Sequence, residues 1–338
     1  MKHEGQKLVG IDVGGTKIAV VLGRQGPEQA EAGGPAITVT DRIVFATPEG
    51  PGPALSSIVE ALAELERRHG LRDAAAFGVS CGGPLDSARG IVLSPPNLPG
   101  WDSIPIVDIL SRELGLPGSL QNDANACALA EWMYGAARGA SNVVFLTFGT
   151  GMGAGIILDG RLYEGREGMA GEVGHVRLAE DGPEGCGKRG SFEGFCSGGG
   201  IARLAQARAR ELAARGVPPA IAPTAERIEE LTARRLCDAA REGDRFAREV
   251  IDTSARYLGR GLAMLIDILN PERIVIGGIF PRASDLFLPI ALEEIGREAL
   301  EISRGGCRIV PAGLGEAIGD VAALSVAAYG LARGGTAV

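Results

Sequence analysis

The chain opens with a run of apolar, largely β-branched residues, Leu8–Asp12, then a Gly/Thr turn, then a second run of the same kind, Ile18–Leu22. Short apolar runs bounded by glycine punctuation read as strands, and Gly14-Gly15-Thr16 supplies the turn between them. The layout returns in the second half, where Val143–Thr147 and Gly155–Leu158 flank Gly149-Thr150-Gly151. Between these hairpins the period lengthens. Leu55, Ile58, Leu62 and Leu65 recur at helical spacing among charges, which predicts an amphipathic helix over Ala54–His69. A Gly/Pro-rich surface stretch, Gly26–Pro35, precedes a β-like run over Ile37–Phe45, and short strands are expected at Ala76–Ser80 and Gly118–Gln121. Helices are expected at Pro105–Leu114 and Ala124–Tyr134. Beyond the second hairpin an irregular segment, 164–198, leads to helices at about 199–216, 224–242 and 244–269. A strand at Arg273–Ile276 closed by Gly277-Gly278, a strand at Cys307–Pro311 and a helix over Asp320–Ala332 complete the chain. A β-meander followed by alternating helices and strands, occurring twice, is the pattern of a duplicated α/β domain. The boundary is expected near Gly118. Residues 1–118 with about 318–338 would form a smaller N-terminal domain, and 119–317 a larger C-terminal one.

Composition narrows the function classes. A chain of 338 residues, 45% hydrophobic and 22% charged, suits a globular protein of two ordinary domains. Forty-two acidic residues against 34 basic ones give a net charge of −8, and no Lys/Arg block occurs, which argues against a nucleic-acid partner. No uninterrupted apolar run approaches the ~18 residues of a membrane span, and the best candidate, Leu262–Leu269, is broken by Asp267. The first residues enter a strand directly, leaving no room for a signal peptide. Six scattered cysteines read as reduced residues rather than a disulfide framework, so a cytoplasmic enzyme is expected.

Two Gly/Thr turns in one chain suggest the two halves of a clamp on a polyphosphate. Glycines let backbone N–H groups approach an anion closely, and a threonine hydroxyl adds a donor. Asp12 stands beside the first turn. Asp123 stands at the start of the helix Ala124–Tyr134, where the helix dipole and free N–H groups favour an ionised carboxylate. A plain N-cap is the alternative reading of that residue. The glycines at 151–155 lack the strand-to-helix context of a dinucleotide fingerprint, which sets aside a dehydrogenase.

These residues resemble the ROK family, which groups sugar kinases with related repressors inside the actin/hexokinase superfamily. The resemblance rests on DVGGTK at 12–17, GGP at 82–84, PNLPGW at 96–101, QNDANA at 121–126, FGTGMGAG at 148–155, GEVGH at 171–175, CGKRGSFE at 186–193 and LNPERIVIGG at 269–278. It implies an α/β fold of two duplicated ribonuclease-H-like domains with a cleft between them. The implied reaction is ATP-dependent phosphorylation of a hexose hydroxyl, with Asp123 as the base that accepts the hydroxyl proton. Gly83, Asn97, Asn122, Asp123, Glu172, His175 and Glu193 are implied as sugar ligands. Trp101 reads as loop packing rather than a sugar platform. Gly14, Gly15, Thr16, Lys17, Thr150 and Gly151 would cradle phosphates, and Gly277-Gly278 would let adenine approach the backbone. Asp12 is implied as the Mg²⁺ carboxylate, acting through water. Glucose is the expected substrate, with N-acetylmannosamine, N-acetylglucosamine, allose and fructose as alternatives, and a homodimer is expected.

Two features bear on alternatives within the family. Its zinc element is a His followed by Cys-x-Cys-Gly-x-x-Gly-Cys, whereas Glu184 and Ser191 stand here at two of the three Cys positions, so no structural zinc is expected. His175 and Cys186 survive, Cys196 is the nearest further thiol, and Phe192 and Phe195 are the apolar residues that would anchor the loop without metal. Repressors of the family carry an additional N-terminal helix-turn-helix, and only seven residues precede the first strand here, so a sugar-sensing regulator is the weaker expectation.

Overall fold

A computed structural model describes residues 5–29 and 34–334. The chain divides into two compact units, one of Met1–Ser141, Gly155–Ala170 and Gly313–Val338, the other of Asn142–Ala154 and Gly171–Ala312. This division and the expected boundary near Gly118 do not coincide, because residues 119–141 pack with the first unit. The C-terminal helix belongs to the first unit.

The first unit begins with β1 (Gln6–Val13), β2 (Lys17–Gln29), β3 (Gly34–Ala46), α1 (Pro51–His69) and β4 (Ala76–Cys81). It continues with the ribbon β5 (Leu85–Asp86) and β6 (Ile91–Val92), then α2 (Ile106–Leu114), β7 (Gly118–Asn122) and α3 (Asp123–Tyr134). The sheet order is β3-β2-β1-β4-β7. β1, β2 and β3 pair antiparallel, whereas β1, β4 and β7 run parallel. Parallel neighbours need long crossovers, and α1 and α2 lie in those connections. The strand β1 reads as a continuous apolar run because both faces are covered. Val9, Ile11, Val13, Ile18, Val20 and Leu22 share a core with Ile58, Leu62 and Leu65 of α1 and with the buried Trp101. Leu8, Ala19 and Val21 pack instead on Leu324, Ala327 and Ala328 of the C-terminal helix. That helix comes so near the sheet that a Cβ on Gly78 would stand 2.3 Å from the Ala327 amide nitrogen. The stretch Gly26–Pro35, expected as a surface loop, is strand up to Gln29 and again from Gly34, with register shifts in the β2/β3 ladder. Residues 30–33 lie outside the described residues, as do His3 and 335–338.

The elements that follow are β8 (Val143–Leu146), then β9 (Ala154–Leu158) and β10 (Arg161–Leu162), which form an antiparallel hairpin. The second unit then adds the ribbon β11 (Glu184–Gly185) and β12 (Lys188–Arg189), α4 (Phe192–Cys196), α5 (Gly198–Ala214), α6 (Ala225–Glu229), α7 (Ala233–Arg241) and α8 (Arg245–Leu269). It ends with β13 (Arg273–Ile276), α9 (Phe280–Glu298), α10 (Glu301–Gly306) and β14 (Arg308–Pro311), before α11 (Ile318–Ala332) rejoins the first unit. β8, β13 and β14 are parallel, and α8 is the spine of the core, burying Val250, Ile251, Leu258 and Leu262. The helix expected over 224–242 is two helices. Thr224 and Thr232 each accept an N–H from three residues on, so Thr232 caps a new helix rather than continuing the old one. Leu231 turns into the core at the break. Among the described residues no helix is long and apolar enough to cross a membrane.

Candidate active site

In the first unit the parallel strands β1, β4 and β7 end together, and their register sets the chemistry. Asp12 faces Ser80, Ser80 faces Gln121, and Cys81 faces Asn122. In open α/β sheets the carboxyl ends of parallel strands are where ligands bind. The Ser80 hydroxyl donates to Asp12, yet the Asp12 pKa is pushed up to about 6. Burial is the largest cause, followed by the like charges of Asp123 and Asp320, with Lys17 opposing them.

The first Gly/Thr turn is tight and pinned. The Gly14 amide donates to the Lys17 carbonyl at 3.1 Å, the Thr47 hydroxyl donates to Gly14 O at 2.6 Å, and the Thr47 amide donates to Thr16 O at 3.1 Å. Gly15 is required by close approach, since a Cβ there would stand 2.6 Å from the Asn97 carbonyl oxygen. Asn97 therefore lies over the turn, and its side-chain amide also packs on Gly82. Gly83 is different, because nothing lies within 4 Å of where its Cβ would be. The exposed Thr16 and Lys17 leave the outer side of the turn accessible.

Asn122, not Asp123, is the N-cap of α3: its Oδ1 accepts the Asn125 amide at 2.7 Å. Asp123 is the first helical residue. Its Oδ1 accepts the Ala124 amide at 2.8 Å. Solvent reaches this carboxylate, but protein surrounds it closely enough that desolvation raises its pKa, opposed by the backbone N–H groups of the helix start. A carboxylate with a raised pKa, free of the capping duty, is suited to take a proton.

The second unit gathers the remaining expected residues around another turn. The Gly149 amide donates to Gly151 O at 3.2 Å, and the Gly198 amide donates to Gly149 O at 2.7 Å, which leaves Thr150 exposed at the tip. Glu193, on α4, holds this turn to the β11/β12 ribbon. Its Oε2 accepts the Met152 amide at 3.0 Å and its Oε1 accepts the Cys186 amide at 2.9 Å. Glu172 and His175 lie on a short 3₁₀ turn, half-exposed, with His175 Nε2 3.9 Å from Glu172 Oε2. The backbone carbonyl of His175 accepts the Lys188 ammonium at 2.7 Å. At the end of β13, Gly278 has φ +64, and a Cβ there would stand 1.9 Å from Phe148 O, so only glycine fits. Gly277 packs on the Phe145 ring.

The ribbon that departs from the zinc pattern is organised by other means. Cys186 occupies the ribbon turn with φ +52. Ser191 caps α4 by accepting the Gly194 amide and donates to Gly185 O at 3.0 Å. Cys196 is buried against Ser254 O, and Phe192 and Phe195 are buried, the latter stacked on Tyr257. Among the described residues no group of three or more His, Cys, Asp or Glu side chains is placed to hold a metal ion.

Several residues at these sites carry no signal in a linear reading. Thr47 acts from just beyond the end of β3, and Ser80 through strand register. Asp320, at the start of α11, is paired with Arg42 at 3.0 Å and adds its charge to that around Asp12. Only its place in the first turn of the final helix could have hinted at it.

A family model described as "ROK family" matches residues 8–328. A glucokinase of Thermotoga maritima is 34% identical over 322 residues, covering 95% of this chain and 96% of that protein. Among solved structures, a ROK family glucokinase from Streptomyces griseus in complex with glucose and AMPPNP aligns with TM-score 0.71 and 31% identity, over 95% of this chain and 99% of that one. A ROK family transcriptional regulator, a homolog of the E. coli MLC protein, aligns with TM-score 0.79 and 27% identity, over 95% of this chain and 78% of that one.

Proposed function

This chain belongs to the ROK family, and from that premise we propose that it transfers the γ-phosphoryl group of ATP to a hydroxyl of glucose. The observation that carries the reading is the placement of Asp123, free of the capping duty and with its pKa raised, at the same carboxyl-end edge of the sheet as Asp12 and the Gly14–Lys17 turn. Glucose enters through its similarity to glucokinases, one of them solved with glucose and AMPPNP.

In this reading Asp123 accepts the proton of the attacking hydroxyl as the oxygen–phosphorus bond forms and the bond to the β-phosphate oxygen breaks, releasing ADP. Asn122 has committed its Oδ1 to the cap, so it offers its amide N–H groups to the sugar. Gly83 and Asn97 belong to the same acceptor side; among the second unit's residues, Glu172, His175 and Glu193 are the hydroxyl ligands that the family resemblance implies. Glu193 can serve as one because each oxygen gives only one lone pair to the backbone. Gly14, Gly15, Thr16 and Lys17 receive phosphate oxygens, as do Thr150 and Gly151, and Gly277-Gly278 lies against the base.

Mg²⁺ would neutralise charge developing on the phosphates. Asp12 suits it: burial and the neighbouring charges of Asp123 and Asp320 raise its pKa, a cost that a cation beside it would relieve. The same reading includes a homodimer and a cytoplasmic location; light scattering checks the first.

The test is ADP release with Mg·ATP over glucose, N-acetylmannosamine, N-acetylglucosamine, allose and fructose. Glucose should give the highest kcat/KM. A higher value for another sugar overturns the substrate but not the kinase. No ADP above background with any sugar overturns the kinase and favours the regulator reading suggested by the MLC-like structure.

A further inference from the structure

A polar chain in the first unit links the loop after Gly83 to the strand that delivers Asp123, and it passes through a residue outside every motif above. Glu164 follows the β9/β10 hairpin. Its Oε1 accepts both the Ser87 hydroxyl and the Gln121 Nε2, the latter at 3.0 Å. Gln121 is buried on β7, and its Oε1 accepts Asn125 Nδ2 at 3.2 Å. The Asn125 amide in turn donates to the Asn122 cap. Ser87 lies just beyond β5, in the ribbon that leaves Gly83-Pro84, and the Leu93 amide returns to Pro84 O at 2.9 Å to close that ribbon.

We infer that Glu164 is a positioning residue, which sets the acceptor loop beginning at Gly83 against the first turn of α3. The argument is geometric. One carboxylate oxygen receives two donors from segments 34 residues apart in sequence, Ser87 and Gln121. Hydrogen bonds to an ionised acceptor are shorter and stronger than neutral ones. Buried amides such as Gln121 leave a costly unpaired donor when that acceptor is removed. The Ala170 amide donates to the Glu164 carbonyl at 3.0 Å, which closes the 164–170 loop and holds the side chain in place from its own backbone. Glu164 and Ser87 also line an open cavity of about 270 Å³ with Leu85 and Leu93. Small misplacements of a base relative to its hydroxyl are expensive in rate. The inference rests on the sugar kinase reading, since it assigns the tie to the acceptor side of that reaction.

The experiment compares Glu164→Ala, Ser87→Ala, the double variant and Glu164→Gln by steady-state kinetics in both substrates. Glu164→Ala should lower kcat/KM for the hexose by about tenfold or more while the KM for ATP stays within about twofold. Adding Ser87→Ala to Glu164→Ala should cost almost nothing further, because the shared oxygen is already gone. Glu164→Gln keeps an acceptor oxygen and should recover part of the loss. A merely structural residue would move the KM for ATP as well and give additive losses. Unchanged hexose kinetics, additive losses or parallel changes in both substrates overturn the inference. If the wild type phosphorylates no hexose, the functional reading has failed separately. Amide exchange at Ala124 and Asn125 then decides: faster exchange in Glu164→Ala supports the tie, and unchanged exchange refutes it.

Discussion

Asp12 and Asp123 are both held above the ordinary carboxylate range, and desolvation by the surrounding protein is the first cause at each. A reaction that needs both ionised should lose kcat/KM as pH falls, with an acidic limb displaced above the ordinary carboxylate range. A limb near the unperturbed value of about 4 would contradict this. The stability consequence has the opposite sign to that of a salt-bridged carboxylate. Between about pH 4 and about 6 the folded state holds the Asp12 proton more tightly than the unfolded chain. Stability therefore falls as pH rises through that window, and the full penalty is present above it. Asp12→Asn should raise Tm by a few degrees at pH 7.5 while abolishing turnover, with the difference from wild type shrinking below about pH 4. Thermal melts across pH check both signs. Asp123→Ala should fold normally, bind glucose and lose about 10²–10⁴ in kcat. A kcat within a few-fold of wild type removes Asp123 from its role. Asp12 and Asp123 stand out in the sequence by their glycine and helix context. The charge around them does not, because Asp320 and Arg42 arrive from opposite ends of the chain.

At the scale of elements, the ends of strands and helices position the site. Asn122→Ala deletes the α3 cap, which costs about 1 kcal/mol by the usual measure of such caps. It should also raise the KM for glucose through the lost amide donor, and urea titration with steady-state kinetics separates the two effects. Gly278→Ala places a Cβ against Phe148 O in left-handed backbone and should destabilise the fold by about 2 kcal/mol or more. A stability within about 0.5 kcal/mol of wild type would show that the β13 turn relaxes freely. Elements with a clear period were legible beforehand: α1 from Leu55, Ile58, Leu62 and Leu65, and the first hairpin from its two apolar runs. The break between α6 and α7 was not, since Thr232 is neutral in a pattern and becomes a cap only where Leu231 enters the core. Pro281 and Pro289 likewise obscured α9, which accommodates both within a packed helix.

For the whole molecule, the expected site residues are shared between the units: Asp12, the first turn, Gly83, Asn97, Asn122 and Asp123 in one, Thr150, Gly151, Glu172, His175, Glu193 and Gly277-Gly278 in the other. A ligand that binds only the folded state stabilises it by mass action, about 2.7 kcal/mol at one hundred times its Kd. Glucose should therefore raise Tm in a concentration-dependent way, more than equimolar N-acetylmannosamine, and an equal response to both would argue against glucose selectivity. The sequence by itself determined the α/β class, the two Gly/Thr turns, and which carboxylates stand beside a turn or a helix start, because local period, turn chemistry and helix-start chemistry act over a few neighbouring residues. Tertiary structure alone decided that Asn122 takes the cap and frees Asp123, that residues 119–141 pack with the first unit, and that Ser80, Asp320 and Glu164 surround the motif residues. Those outcomes depend on strand register and on side chains meeting across tens to hundreds of residues, and no local pattern encodes which distant partner arrives.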